Sequence, residues 1–401
     1  MPALQVQVQG GMTDLLHGPW LLEEYHKRKG TNGYTFLSTF AGGGGSSMGW
    51  GLAGFEPVGA VEIDPKMAEC YRTNLGGTVF VEGIAEFTKR DLSDIRGELD
   101  VLDGSPPCSV FSAAGRREKK WGKAHKFAEG QTTQVLDDLF FQWIDLVNVL
   151  RPKVAVAENV KGLIQGNAKG YVLEIFNALH AAGYQVQLFL LNAARMGVPQ
   201  RRERVFFVAR RINLQWQDLA LEFDEPEIPI AAALEGANEN GLQLTGVQRQ
   251  RWEQTKPGRL LVEGSVFAGR RAAADKPAST QTATAPLLHW DEPRMLSDTH
   301  AGLWAECETG KPLSTVHPKG HLWNGKKSDP EKPSHTLASG PGPMHWDEPR
   351  WFNAAECVRV QSFPEDYNFC TQKGYYVCGM SVPPLMMQRL ALQIAAQWFG
   401  L

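Results

Sequence analysis

Hydrophobic residues in the first half of the chain follow two patterns that alternate. Short apolar blocks at 33–40, 58–63, 78–81, 99–102, 154–157, 184–191 and 205–209 are bounded by Gly, Pro or charged residues, which predicts buried strands. Between them, apolar residues recur at helical spacing. In the clearest case Leu136, Leu139, Phe140, Trp143, Val147 and Leu150 share one face, and Pro152 stops the helix. A second helix is predicted over 171–182, ending at Gly183, and a short one over 14–27. The segment 379–400 predicts a terminal helix with Pro at its start and a stripe of Leu385, Leu390 and Ile394. Regular alternation of strand and helix predicts an α/β fold with a doubly wound, mostly parallel sheet.

Open sheets of this kind bind ligands at the carboxyl ends of their strands, and the residues just past those ends carry chemistry here. The strand at 33–40 runs straight into AGGGGSSMG. Four glycines before helix-forming sequence make a ligand-cradling turn, because Gly permits close backbone approach and a helix amino terminus offers N–H groups. A GxGxxG at Gly49, Gly51 and Gly54 falls inside the expected helix, so the dinucleotide fingerprint fails on context. Glu62 and Asp64 close the next strand about twenty residues beyond the turn, where an acidic side chain takes ribose hydroxyls. An adenosine-containing cofactor is expected.

Two further strand ends point into the same crevice. After 99–102, Gly104-Ser105-Pro106-Pro107 delivers Cys108, and the prolines fix the thiol in place, as a nucleophile requires. After 154–157 come Glu158 and Asn159; a carboxylate there is costly unless paired or used. Arg201, Arg202 and Arg204 precede the strand at 205–209, and some of these guanidiniums are expected to face Glu158.

Composition narrows the class. With 401 residues, 43% hydrophobic and 21% charged, the chain is an ordinary globular protein. It has no apolar run near the ~20 residues of a membrane span and no basic start followed by an apolar block, so a cytoplasmic protein without membrane contact is expected. Six scattered cysteines suit free thiols. His317 and His321 stand four apart without partner cysteines, and no metal is expected. A net charge of −3 excludes a uniformly basic nucleic-acid binder, yet Arg116 to Lys126 sets six Lys/Arg against one Glu directly after the Cys108 turn. That run is expected to track a phosphate backbone.

Beyond residue 212 the periodicity fades. An acidic, Pro-bearing stretch suits a domain junction, and the sequence to about 345 is rich in Gly, Pro, Thr, Trp and His. KPAST (276–280), KPLST (311–315) and KPSHT (332–336), with HWDEPR at 289–294 and 345–350, read as a local duplication of loop units. The expected organisation is an amino-terminal extension adding surface (1–33), a catalytic and cofactor-binding domain (34–212, completed by 374–401), and a smaller, irregular, β-containing recognition domain (213–373).

Five blocks, FAGGGG with Glu62, SPPCSVFS, AENV, VPQRRERVFFVA and AAECVRVQSFP, occur in the order found in the cytosine-5 DNA methyltransferase family, which the chain resembles over nearly its whole length. The resemblance implies a class I, Rossmann-like methyltransferase that uses S-adenosylmethionine, releases S-adenosylhomocysteine and acts on double-stranded DNA as a monomer. It assigns the cofactor to Phe40, Ala41, Gly42, Gly44, Gly45, Glu62, Ile63, Gly83, Ile84, Asp103, Ser105, Pro107, Met380, Ser381 and Val382. Cys108 would attack C6 of a flipped cytosine, Glu158 would hold N3 and the exocyclic amine, and Arg204 would hold O2 with Arg202 in support. Ser109, Ser112, Arg116, Arg117, Asn159 and Gln200 would face the DNA. The sequence departs from the family at Gly83, where an aspartate is usual, at Ser109, where glutamine is frequent, and at Met380, where asparagine stands. Met380 either packs at the start of the terminal helix or loosens the cofactor pocket. A catalytically silent DNA-binding relative and an RNA cytosine-5 methyltransferase are the alternative readings.

Overall fold

The computed structural model of the protein describes residues 20–107, 138–165, 169–237, 296–320, 325–337, 343–348 and 350–401. Its main sheet is built from β1 (Thr35–Thr39), β2 (Glu56–Val61), β3 (Val79–Phe80), β4 (Val101–Gly104), β5 (Val154–Val160), β6 (Tyr184–Asn192) and β8 (Glu203–Arg211), while the short β7 (Gln200–Arg201) stands apart. Strand order is β3-β2-β1-β4-β5-β8-β6. β1 to β5 pair in parallel, and β8 runs antiparallel to both β5 and β6. The reversal follows from the connection, since a short link between β6 and β8 leaves no room for the helical crossover a parallel pair needs.

The helices are α1 (Leu22–Arg28), α2 (Gly45–Leu52), α3 (Pro65–Leu75), α4 (Ile84–Phe87), α5 (Leu139–Leu150), α6 (Lys169–Ala181), α7 (Ile230–Leu234), α8 (Asp298–Glu306), α9 (Ala354–Val360), α10 (Gly374–Met380) and α11 (Pro384–Ile394). They cover both sheet faces, so successive strand residues enter different cores. Phe36, Val101, Val156 and Phe206 join one with α2, α3 and α11. Leu37, Leu102, Ala157 and Phe207 join the other with α5 and α6. A charged residue on either face of the central strands therefore has no water to turn to.

Several expectations are corrected. β5 continues to Val160, so Glu158 and Asn159 lie within the strand rather than after it. β4 spans Val101–Gly104, two residues later than expected, and just before it the Asp100 carboxylate accepts from the Thr35 N–H and from Lys153. The terminal helix is two helices: α10 ends at Met380, and α11 starts at Pro384, where Pro383 and Pro384 preset the first turn. The described part of the extension adds core rather than surface. Trp20 and Tyr25 are buried, the Trp20 ring N–H donates to the Ser362 carbonyl, and the Tyr25 ring fills the space a side chain at Gly51 would need. The change of core also does not fall at 212/213. Leu219, Ile230 and Leu234, and later Phe352 to Phe369, pack into the first core, whereas Cys307, Leu313 and Met344 form a small separate one. No described helix is long and apolar enough to cross a membrane.

Candidate active site

β1, β4 and β5 are adjacent and parallel, so their carboxyl ends share one edge of the sheet, where open sheets form their ligand crevice, and the residues there make two unlike walls. The first wall is backbone. Past β1, Phe40 turns the chain at φ 51°, followed by Gly42 at 51° and Gly44 at 84°, a left-handed region that favours glycine and strains phenylalanine. A side chain could not be added here. A Cβ on Gly43 would stand 2.5 Å from Val377 and 2.8 Å from the Tyr367 hydroxyl, and one on Gly45 would stand 2.3 Å from the Val382 carbonyl oxygen. The Tyr367 hydroxyl donates to the Gly43 carbonyl; nothing in the spacing of residue 367 signals that role. Behind the turn, one Glu62 carboxylate oxygen accepts from the Gly42 N–H at 2.7 Å and the other from the Asp64 N–H at 2.8 Å. Burial pushes the Glu62 carboxyl up, and these N–H groups pull it back. With four acceptor sites, the carboxylate keeps capacity to accept from a diol. Asp64 also caps α3 by accepting from the Lys66 N–H.

Ile63 is half-buried at the rim, and Gly83 precedes α4, whose Ile84 side chain enters the second core. Gly83 therefore offers main chain alone, as its sequence predicts. Asp103 is buried within β4, its carboxylate accepting from the Ser38 hydroxyl. Burial raises that carboxyl to about 6, against the hydrogen-bond donors of Ser46, Trp50 and Ser38. It lies inside the sheet, under the turn.

The second wall is made of side chains. Arg204 Nε meets Glu158 Oε1 at 2.9 Å, both largely shielded from solvent. The pair resolves the cost of a carboxylate in a buried strand: burial lowers the Arg204 pKa, and the Glu158 charge raises it again. Removing one partner of such a pair costs ~3–5 kcal/mol, so these positions constrain each other. Asn159 Nδ2 donates to the Pro106 carbonyl at 3.0 Å, tying β5 to the Pro-Pro turn; Ser105 and Pro107 on that turn are half-buried. Cys108, Ser109, Ser112, Arg116, Arg117 and the basic run lie outside the described residues.

Three placements differ from expectation. Arg202 does not line the crevice. It is 2% exposed, and its guanidinium donates to the Leu337 and Gly379 carbonyls, both at 3.0 Å. Gln200 does not face DNA: it is fully buried, donating to Gln361 and the Val360 carbonyl and accepting from the Leu337 N–H. The break in the strand explains both: Gln200 lies on β7, which pairs with β9, Arg202 falls between β7 and β8, and Arg204 lies on β8, which pairs with β5 and β6, so the three do not share one continuous strand face. Arg201, which pairs with Glu227 on the surface, turns the other way. Met380 is 48% exposed at the end of α10, so it does not pack. Ser381 and Val382 are buried beside Gly45.

A doubly wound sheet with a glycine turn after β1, an acid after β2 and a reversed β8 defines a class I, Rossmann-like methyltransferase. The comparisons narrow this: residues 34–396 match C-5 cytosine-specific DNA methylase, and the chain belongs to that family, the DNA cytosine-5 methyltransferases. Type II methyltransferase M.NgoFVII of Neisseria gonorrhoeae is 30% identical over 365 residues, 89% of this chain and 85% of that protein. Type II methyltransferase M.Sau96I of Staphylococcus aureus is 29% identical, over 87% of this chain and 73% of that protein. Among solved structures, a prophage-encoded E. coli protein described as a DNA modification methyltransferase superposes with TM-score 0.61 at 20% identity, covering 91% of this chain and 99% of its own.

Proposed function

We propose that the protein methylates C5 of cytosine within a specific duplex DNA sequence through a covalent adduct on Cys108. The observation that carries this reading is the Glu158–Arg204 pair at 2.9 Å, on the strand whose Asn159 holds the turn leading into Cys108. Cytosine C5 is a weak nucleophile. Attack of the Cys108 thiolate at C6 forms the S–C bond and moves the ring electrons toward C5 and N3, where the Glu158 carboxyl hydrogen-bonds N3 and the exocyclic amine. Arg204 fixes that carboxyl and offers its remaining N–H groups to O2. Loss of the C5 proton later returns the electrons that expel the thiolate. A base stacked in a duplex is out of reach of these groups, so the nucleotide must leave the helix, at a cost of a few kcal/mol.

The chemistry of the first wall fits S-adenosylmethionine. Gly42 to Gly45 leave room for close approach, Glu62 can accept the ribose hydroxyls, Gly83 gives main-chain contact, and Ser381 and Val382 close the far side. When bound, this cofactor supplies an electrophilic methyl group. Sequence reading falls to the region between residues 238 and 351, part of which has its own small core around Leu313 and Met344. Relatives named Type II methyltransferases support a modification role in a restriction system. Bisulfite sequencing of DNA from cells expressing the protein tests the reading. Protected cytosines at one recurring sequence are expected, and a conversion pattern identical to that of cells without it would refute it.

A further inference from the structure

Arg202 is a buried cation that no longer has a place at the cytosine. Its two contacts join parts of the chain that lie far apart: Leu337, directly after the KPSHT segment of the inserted region, and Gly379, at the carboxyl end of α10. A helix carboxyl end, with its unpaired carbonyls, suits a cation. A second strand of contacts runs parallel to the first. Gln200 accepts from the Leu337 N–H and donates to Gln361 at 2.7 Å, and Gln361 donates to the Ser381 carbonyl at 2.6 Å. The carbonyls on either side of Met380 are thus each held by a buried side chain from elsewhere, and Met380 itself is left pointing to solvent. The next residue, Val382, places its carbonyl oxygen where a Cβ on Gly45 would be 2.3 Å away. Arg202 and Gln361 thus hold the main chain at 379 and 381, and the adjoining Ser381 and Val382 are the residues packed against Gly45 at the start of α2.

We propose that Arg202 and Gln361 are positioning residues for the cofactor, acting through the backbone of 379–382, and that Arg202 contributes nothing directly to the cytosine. The inference rests on the cofactor reading given above. The seat of the inserted region is part of the same device, because the Leu337 main chain is gripped on its N–H by Gln200 and on its carbonyl by Arg202, while β9 (Ser334–His335) lies parallel to β7.

The test uses the full chain with Arg202→Lys, which reaches at most one of the two carbonyls with comparable geometry, and Gln361→Met, which keeps volume and removes both hydrogen bonds. S-adenosylhomocysteine affinity is measured by calorimetry, duplex affinity by fluorescence anisotropy, and folding by thermal melting. Losing one charge-assisted bond to a buried carbonyl should weaken S-adenosylhomocysteine binding by about ten-fold in Arg202→Lys, with a smaller change in duplex affinity through the Leu337 contact, and by a smaller factor in Gln361→Met, with duplex affinity unchanged. The double variant should lose less than the product of the two factors, since both side chains hold one stretch of backbone. Cofactor affinity unchanged while duplex affinity or single-turnover rate falls would return Arg202 to the substrate and overturn the proposal. Equal loss of both affinities with early melting would reduce it to general packing and overturn it as well. Failure of the wild-type protein to bind S-adenosylhomocysteine would overturn the cofactor reading and this inference together, whereas wild-type binding matched by both variants overturns this inference alone.

Discussion

The two walls of the crevice are built by opposite means. The cofactor wall is main chain: glycines at positive φ, a carboxylate spent on N–H groups, and neighbours packed so close that even a methyl group is excluded. The substrate wall is side chain: one carboxylate and one guanidinium, each tolerable in the sheet because of the other. A wall of main chain fails by steric intrusion and loses binding, whereas a wall of paired charges fails by loss of a functional group and loses rate. Substitutions on the two sides should therefore separate affinity from chemistry.

The largest effect belongs to the substrate wall. Glu158→Gln keeps the shape and part of the hydrogen bonding but weakens stabilisation of the developing ring charge, so single-turnover methyl transfer should slow by ~10²-fold or more while cofactor and duplex affinities hold. An unaltered rate would take Glu158 out of the mechanism. On the cofactor wall Gly45→Ala drives a Cβ toward the Val382 carbonyl oxygen. Overpacking against backbone costs ~1–3 kcal/mol, and S-adenosylhomocysteine affinity should fall about ten-fold. Methyl transfer at saturating cofactor should change much less. If the rate drops and the affinity does not, the division between the walls is wrong.

The smallest effect sharpens the boundary between them. Asp103 lies in β4 under the turn, and burial raises its carboxyl from 3.8 to about 6. The folded protein therefore holds a proton that the unfolded chain has lost between those two values, and this group makes wild-type stability fall as pH rises through that window. Asp103→Asn removes the titration. The stability of the variant relative to wild type should grow from pH 4 to pH 6 and level off above, by ~1–3 kcal/mol in denaturant unfolding. A difference independent of pH would show that Asp103 is not a buried, protonatable group.

Much of the fold is legible in the sequence because a sheet covered on both faces needs apolar strands, and helical spacing between them leaves few alternatives. The cofactor turn is legible for a related reason, since four adjacent glycines make sense where side chains do not fit. The substrate wall is only half legible. Glu158 could be flagged by its cost, but which of three neighbouring arginines meets it depends on where β7 ends and β8 begins, and Arg202 and Arg204 look alike on paper. The roles of Gln200 and Tyr367 escape because their backbone partners are more than a hundred residues away, and that of Gln361 because it joins the distant Gln200 side chain to the Ser381 carbonyl; nothing local encodes such pairs. The buried extension at Trp20 and Tyr25 escapes for the same reason: its apolar residues are too few for periodicity, yet Tyr25 fills the space beside Gly51 and Trp20 donates to the Ser362 carbonyl.

The central claim is that the crevice serves a covalent step on Cys108, and trapping on a duplex containing 5-fluorocytosine at the methylated position tests it most directly. Once the methyl group is on C5, fluorine leaves no proton to remove, so the thiolate stays bonded to C6. Incubated with S-adenosylmethionine, the wild-type protein should accumulate a complex with DNA that survives denaturing electrophoresis, and Cys108→Ser should bind the duplex without forming it. Equal trapping by the serine variant, or methylation of ordinary duplex with no trapping of the fluorinated one, would contradict the account.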